Sequence, residues 1–146
     1  MDIVLYLHIL SACAWIGGSL LLFGLGIFIR EKEIQDRVYG AIGPFYGYFE
    51  SIWLLLLITT GFVLAGEYNL FQVSGDGSEL GSWVHWKMVL VGLISLATLV
   101  HLYIAFATHG KKRTRMETLL SRGGSLSIFV LNLAILAVAI QIRTIL

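Results

Sequence analysis

Trp83-Val-His85-Trp-Lys87-Met-Val-Leu-Val-Gly-Leu-Ile-Ser-Leu-Ala-Thr-Leu-Val-His101-Leu-Tyr-Ile-Ala-Phe-Ala-Thr108 runs without a proline, an arginine or a carboxylate. A helix rising about 1.5 Å per residue needs about 20 residues to cross roughly 30 Å of hydrocarbon, and this stretch has enough. Three more runs share its character, about Ile3–Ile29, Pro44–Gly66 and Ser125–Ile142. A membrane β-barrel would need alternating segments of about ten residues, whereas these runs are continuous. The expectation is therefore an all-α polytopic membrane protein, a four-helix transmembrane bundle forming one domain over residues 1–146.

Composition agrees with that reading. Hydrophobic residues make up 58% of the chain and charged residues 13%, and the mean hydropathy is +0.85, which excludes an ordinary soluble domain. Ten Lys and Arg against nine Asp and Glu leave a net charge of +1, so no basic surface suggests nucleic acid as a partner. Cys13 is the single cysteine; it excludes an intramolecular disulfide and reads as a small packed residue.

Orientation follows from where the basic residues fall. Arg30, Lys32 and Arg37 lie in the first connection, Lys111, Lys112, Arg113, Arg115 and Arg122 in the third, and none in the second, Glu67–Ser82, with its Gly75-Asp-Gly-Ser78 turn. Basic connections stay in the cytoplasm, so both termini are expected outside, in a multi-pass protein of the cell inner (cytoplasmic) membrane. Asp2 and the absence of a basic residue ahead of the long first run predict a retained helix, not a cleaved signal. Trp83 and Trp86 mark the outer boundary of the third helix. Lys111-Lys-Arg-Thr-Arg115 is expected to anchor the cytoplasmic side and touch anionic lipids, and His109 beside it to be solvated.

Five ionisable side chains fall inside the spans: His8, Glu50, His85, Lys87 and His101. Each costs about 2.5 kcal/mol or more on insertion scales, so each needs a reason. The helical rise puts His8 roughly 8 Å below the outer surface and His85 and Lys87 roughly 3–6 Å below it. Glu50 and His101 lie roughly 10 Å from the cytoplasmic surface, with Asn132 at similar depth. Two polar levels result. Lys87 and His101 share a face of the third helix at 100° per residue, while His85 points away. His8, Ala12, Trp15 and Ser19 form one stripe on the first helix, with Gly17-Gly18 beside it, a surface suited to close helix contact next to a flat ligand. Glu50 and His101 are expected either to form a satisfied buried pair or to relay protons, with Asn132 adding a hydrogen bond. His85 and Lys87 each have a bland reading as interfacial or snorkelling residues.

His8-Ile-Leu-Ser-Ala-Cys-Ala-Trp15-Ile-Gly-Gly18 resembles the opening of the four-helix copper-resistance D (CopD) domain and of the related HemJ-type protoporphyrinogen oxidases. Similarity continues in Val38-Tyr39-Gly-Ala-Ile42-Gly-Pro44, in Thr60-Gly61 and in Trp83-Val-His85-Trp-Lys87, the most specific element. His101 matches a late histidine of that helix in HemJ-type proteins. HemJ-type proteins also carry a Leu-Pro-Arg element and an arginine-rich stretch; here the corresponding regions read Leu22-Phe-Gly-Leu-Gly26 and Gln35-Asp-Arg-Val38. The resemblance implies a shared scaffold, a haem site and, as its enzymatic form, porphyrinogen oxidation.

Haem b asks for one or two axial ligands, usually neutral imidazoles, in an apolar cleft. His8 meets that need, with Trp15 on the same stripe, and makes the chain cytochrome b-like. The second ligand is His85 if the third helix is locally rotated, Lys87 if it is regular, or His101 for a group at the inner level, where Arg30 and Arg37 would pair with propionates. Copper is the competing cargo, through His8 and His85 with Met88 three residues beyond. A third reading is a non-catalytic subunit of a larger respiratory complex or a homo-oligomer. No nucleophile elbow, phosphate loop, dinucleotide fingerprint or zinc-protease helix occurs, so any catalysis is assigned to Glu50 and His101 as proton carriers beside an unidentified redox partner.

Overall fold

The computed structural model describes residues 3–107 and 114–145. It contains α1 (Ile3–Phe28), α2 (Lys32–Glu67), the short α3 (Leu70–Val73), α4 (Glu79–Ala107) and α5 (Arg115–Ile145), and no strand among the described residues. Four stretches are long and apolar enough to cross a membrane: Ile3–Phe28, Phe45–Glu67, Glu79–Ala107 and Gly123–Ile145. The chain is an all-α, multi-pass membrane protein whose outward faces meet lipid. Expectations about Met1, Asp2, Thr108, His109, Lys111, Lys112 and Arg113, and about the side chain of Arg122, lie outside the described residues.

Helices satisfy most of their backbone polar groups within the segment, as a bilayer demands. The four long helices then pack as a ring: α1 against α2, α2 against α4, α4 against α5 and α5 back against α1, leaving α1 and α4 diagonal to each other. Each contributes one residue to the central cluster of Trp15, Leu54, Ile94 and Ile128. A second cluster, Val84, Val138 and Ile142, joins α4 and α5 and takes in Leu70, Leu80, Trp83, Met88 and Leu90. Trp83 therefore packs within the protein, and of the two tryptophans only Trp86 is exposed.

The helices overrun the apolar spans, which corrects three expected boundaries. α2 begins at Lys32 instead of Pro44 and continues through Pro44. In its charged first turns Arg37 pairs with Glu33 at 3.3 Å, one turn apart, which adds a little to helix stability. They also serve α1: Gln35 Nε2 donates to the Gly26 and Ile29 carbonyls at 3.2 and 3.3 Å, and Tyr39 Oη donates to the Leu22 carbonyl at 3.1 Å. The Gly26 and Ile29 carbonyls lie in and just beyond the last turn of α1, where no intrahelical donor follows.

α5 starts at Arg115, not Ser125, behind a reciprocal cap in which Thr114 N donates to Glu117 Oε2 at 2.7 Å and Glu117 N donates to Thr114 Oγ1 at 3.2 Å. α4 starts at Glu79, before Trp83, because Ser78 Oγ accepts from Gly81 N at 2.9 Å. Asp76 Oδ1 accepts from Ser78 N at 2.8 Å, and the Ser78 hydroxyl and amide hold the Asp76 carboxyl below its ordinary range. Gly81 has to be glycine at this junction: a Cβ there would collide with the Val73 carbonyl of α3. Gly77, at φ +75°, makes the preceding turn.

Candidate cofactor site

His8, expected on a buried stripe, faces the bundle. Its ring packs so closely on Gly61 of α2 that a Cβ at Gly61 would lie 3.1 Å from His8 Cε1. His8 Nδ1 is 3.0 Å from Thr60 Oγ1. Thr60 has a single hydroxyl proton, and the Leu56 carbonyl, at 2.6 Å, can only accept it. With that proton on a backbone carbonyl, Leu56 or Leu57 at 3.2 Å, the arrangement favours Nδ1 as the donor to Thr60 Oγ1 and the Nδ1-protonated tautomer of His8. Nε2 is left with its lone pair, the state in which an imidazole binds iron or another metal.

On α4 the regular helical count holds. Lys87 is half-buried and His85 is exposed. Among the described residues Lys87 makes no ion pair or hydrogen bond. Met88, three residues from His85, packs into the apolar cluster around Val84 and Val138, so those two side chains do not converge on one interior site. No group of three or more His, Cys, Asp or Glu side chains suited to a metal ion occurs among the described residues.

The rest of the α1 stripe is a polar seam. Ser11, Trp15 and Ser19 are its buried residues, with Ala12 at the edge. Asn132 Nδ2 donates to Ser19 Oγ at 3.1 Å, and Ser19 Oγ donates to the Ile16 carbonyl at 3.2 Å. Phe23 stacks on Phe129 with ring centroids 4.4 Å apart. Gly18 gives room for Tyr46 and Phe49: a Cβ there would come within 3.1–3.3 Å of both rings.

The expected inner-level pair is not joined. Glu50 is buried at 3% exposure, but no hydrogen bond or ion pair connects it to His101. His101 is turned toward α5, where a Cβ on Gly124 would be 3.4 Å from its Nδ1. Asn132 is engaged with Ser19 and not with either of them. Arg37 is occupied by Glu33 on the exposed surface. Thr60 is the site residue that reading the sequence missed as a partner, although Thr60-Gly61 had been singled out as a similarity element. The open apolar groove of about 350 Å³ lies elsewhere, between α4 and α5, lined by Leu93, Leu96, Val100, Leu120 and Gly124 among others.

No protein-family model matches the chain, nor does any characterised protein or solved structure.

Proposed function

We propose that this is a haem b-binding protein of the cytoplasmic membrane that takes part in electron transfer or proton-coupled redox chemistry. The observation that carries the reading is the His8–Thr60 hydrogen bond, which holds the imidazole against α2 through Nδ1 and leaves Nε2 as the ring nitrogen available to a metal. Bound haem b supplies one-electron chemistry. His8 would hold it, Thr60 orienting the ring and strengthening its donor character, and Gly61, with no Cβ, giving the ring room against α2. Lys87, inward on α4, is the better-placed second donor than the exposed His85. The likeness of His8-to-Gly18 and of Trp83-Val-His85-Trp-Lys87 to HemJ-type and CopD proteins supports the same reading, with porphyrinogen oxidation as its enzymatic form. The outward His85 and the apolar packing of Met88 give copper less support.

The test is an absorbance spectrum of detergent-purified protein before and after dithionite. A Soret band with a b-type α-band on reduction is expected, and His8→Ala should remove both while the protein stays in the membrane. A wild-type protein that binds no haem when it is supplied, or His8→Ala with full occupancy and an unchanged spectrum, overturns the reading.

A further inference from the structure

Trp15, Glu50 and Thr98 are polar side chains with exposures of 2, 3 and 0% on three different helices. Trp15 Nε1 and Thr98 Oγ1 have no hydrogen-bond partner, and among the described residues nothing donates to the Glu50 carboxyl. Three such groups in hydrocarbon are costly, because a buried polar atom without a partner forfeits its hydration.

The register brings them to one region. Trp15, Leu54 and Ile94 belong to the same central cluster. Glu50 lies one helical turn before Leu54 on α2 and Thr98 one turn after Ile94 on α4, and these helices run in opposite directions. Both therefore stand on the same side of the cluster, toward the α1–α2 turn. Gly47, packed against Leu102 and Phe106, fixes that alignment of α2 with α4.

Their chemistries are complementary. Trp15 offers one donor, Glu50 offers acceptors, and Thr98 offers one donor and two lone pairs. A metal cation would satisfy Glu50 and Thr98 but would be repelled by the indole N–H. A proton on the carboxyl, with internal water, suits all three. The other titratable groups at this level are Tyr46, one turn along α2 and packed on Gly18, and His101 of α4, turned toward Gly124. Among the described residues, α1 and α5 bring Ser19 and Asn132, bonded to each other.

We propose that Glu50, Trp15 and Thr98 form an internal proton-binding site, with the proton carried on the Glu50 carboxyl and the indole N–H and threonine hydroxyl linked to it through internal water. A hydronium ion gives up its proton, one O–H bond forms at Glu50 and no electron moves. The site does not depend on haem, so its test reads the carboxyl itself.

Infrared difference spectra between acid and alkaline pH, taken on the purified full chain, should contain a carboxylic C=O band that isotope-labelled glutamate shifts and Glu50→Gln removes. Trp15→Phe and Thr98→Val should each move that band by a few wavenumbers, which keeps the test available if Glu50→Gln does not fold. Thr98→Val should also lower the melting temperature, because it removes a hydroxyl that is in use. A missing glutamate band, a band that neither variant moves, or a melting temperature raised by Thr98→Val overturns the proposal.

Discussion

His8 Nδ1 lies 3.0 Å from Thr60 Oγ1 on the neighbouring helix, and the Thr60 hydroxyl is itself committed to the Leu56 carbonyl at 2.6 Å. With its proton donated backward along α2, the threonine oxygen accepts from the histidine. One side-chain oxygen sets the tautomer, the ring orientation and the availability of Nε2.

Thr60→Val keeps the shape and removes the acceptor. The His8 N–H then loses its partner and the tautomer preference is released. Removing such an outer-shell partner costs about 10–100-fold in affinity at metal-binding histidines. Haem titration of the variant should show a loss of that size with the helical content unchanged. An unaltered affinity would remove Thr60 from the site.

Gly61→Ala should separate stability from binding. In a helix interior alanine is favoured over glycine by about 1 kcal/mol, yet the new Cβ would sit 3.1 Å from His8 Cε1. The expected outcome is an equal or higher melting temperature together with a perturbed haem spectrum. Gly17→Ala, where a Cβ meets nothing within 4 Å, is the control and should leave the spectrum alone. Equal spectra for the two variants would show that ring packing on Gly61 is immaterial.

How much of this was legible in the sequence depends on the kind of contact. The four apolar spans and the inward turn of Lys87 relative to His85 follow from length and from 100° per residue, both local properties. The helix ends do not. α2 reaches back to Lys32, where Gln35 caps the end of α1 and Tyr39 bonds to its Leu22 carbonyl, tertiary contacts that hydropathy does not register. The α5 start was readable in Thr114-x-x-Glu117, and the charged surroundings hid it. For Glu50 and His101 depth was readable but azimuth was not: equal distance from a surface says nothing about which neighbour a side chain turns to. His101 turned to Gly124. Thr60 could not be paired with His8 from spacing alone, since the two are 52 residues apart.

The orientation of the bundle is a separate prediction, resting on loop charge. Arg30, Lys32 and Arg37 lie at the α1–α2 end and Arg115 at the start of α5, whereas the α2–α4 connection bears no basic residue. Cytoplasmic retention of basic connections puts the α3 side outside. Reporter fusions after Ser78 should therefore read external and fusions after Arg115 internal. The opposite pair of signals would invert the model of the membrane insertion.

Asn132 and Ser19 provide the last prediction, on how α1 and α5 hold together. Lipid gives no hydrophobic drive to bring helices together, so packing and interhelical hydrogen bonds carry the association. Here Asn132 Nδ2 donates to Ser19 Oγ at 3.1 Å, with both residues buried. Ser19→Ala strands the amide and should cost about 1–3 kcal/mol. Asn132→Leu removes the donor but leaves Ser19 still bonded to the Ile16 carbonyl, so it should cost less. The double variant should be more stable than the sum of the single losses implies, because the stranded amide is gone. Unfolding in mixed micelles measures all four forms; strictly additive losses would mean that this bond contributes nothing to the α1–α5 contact.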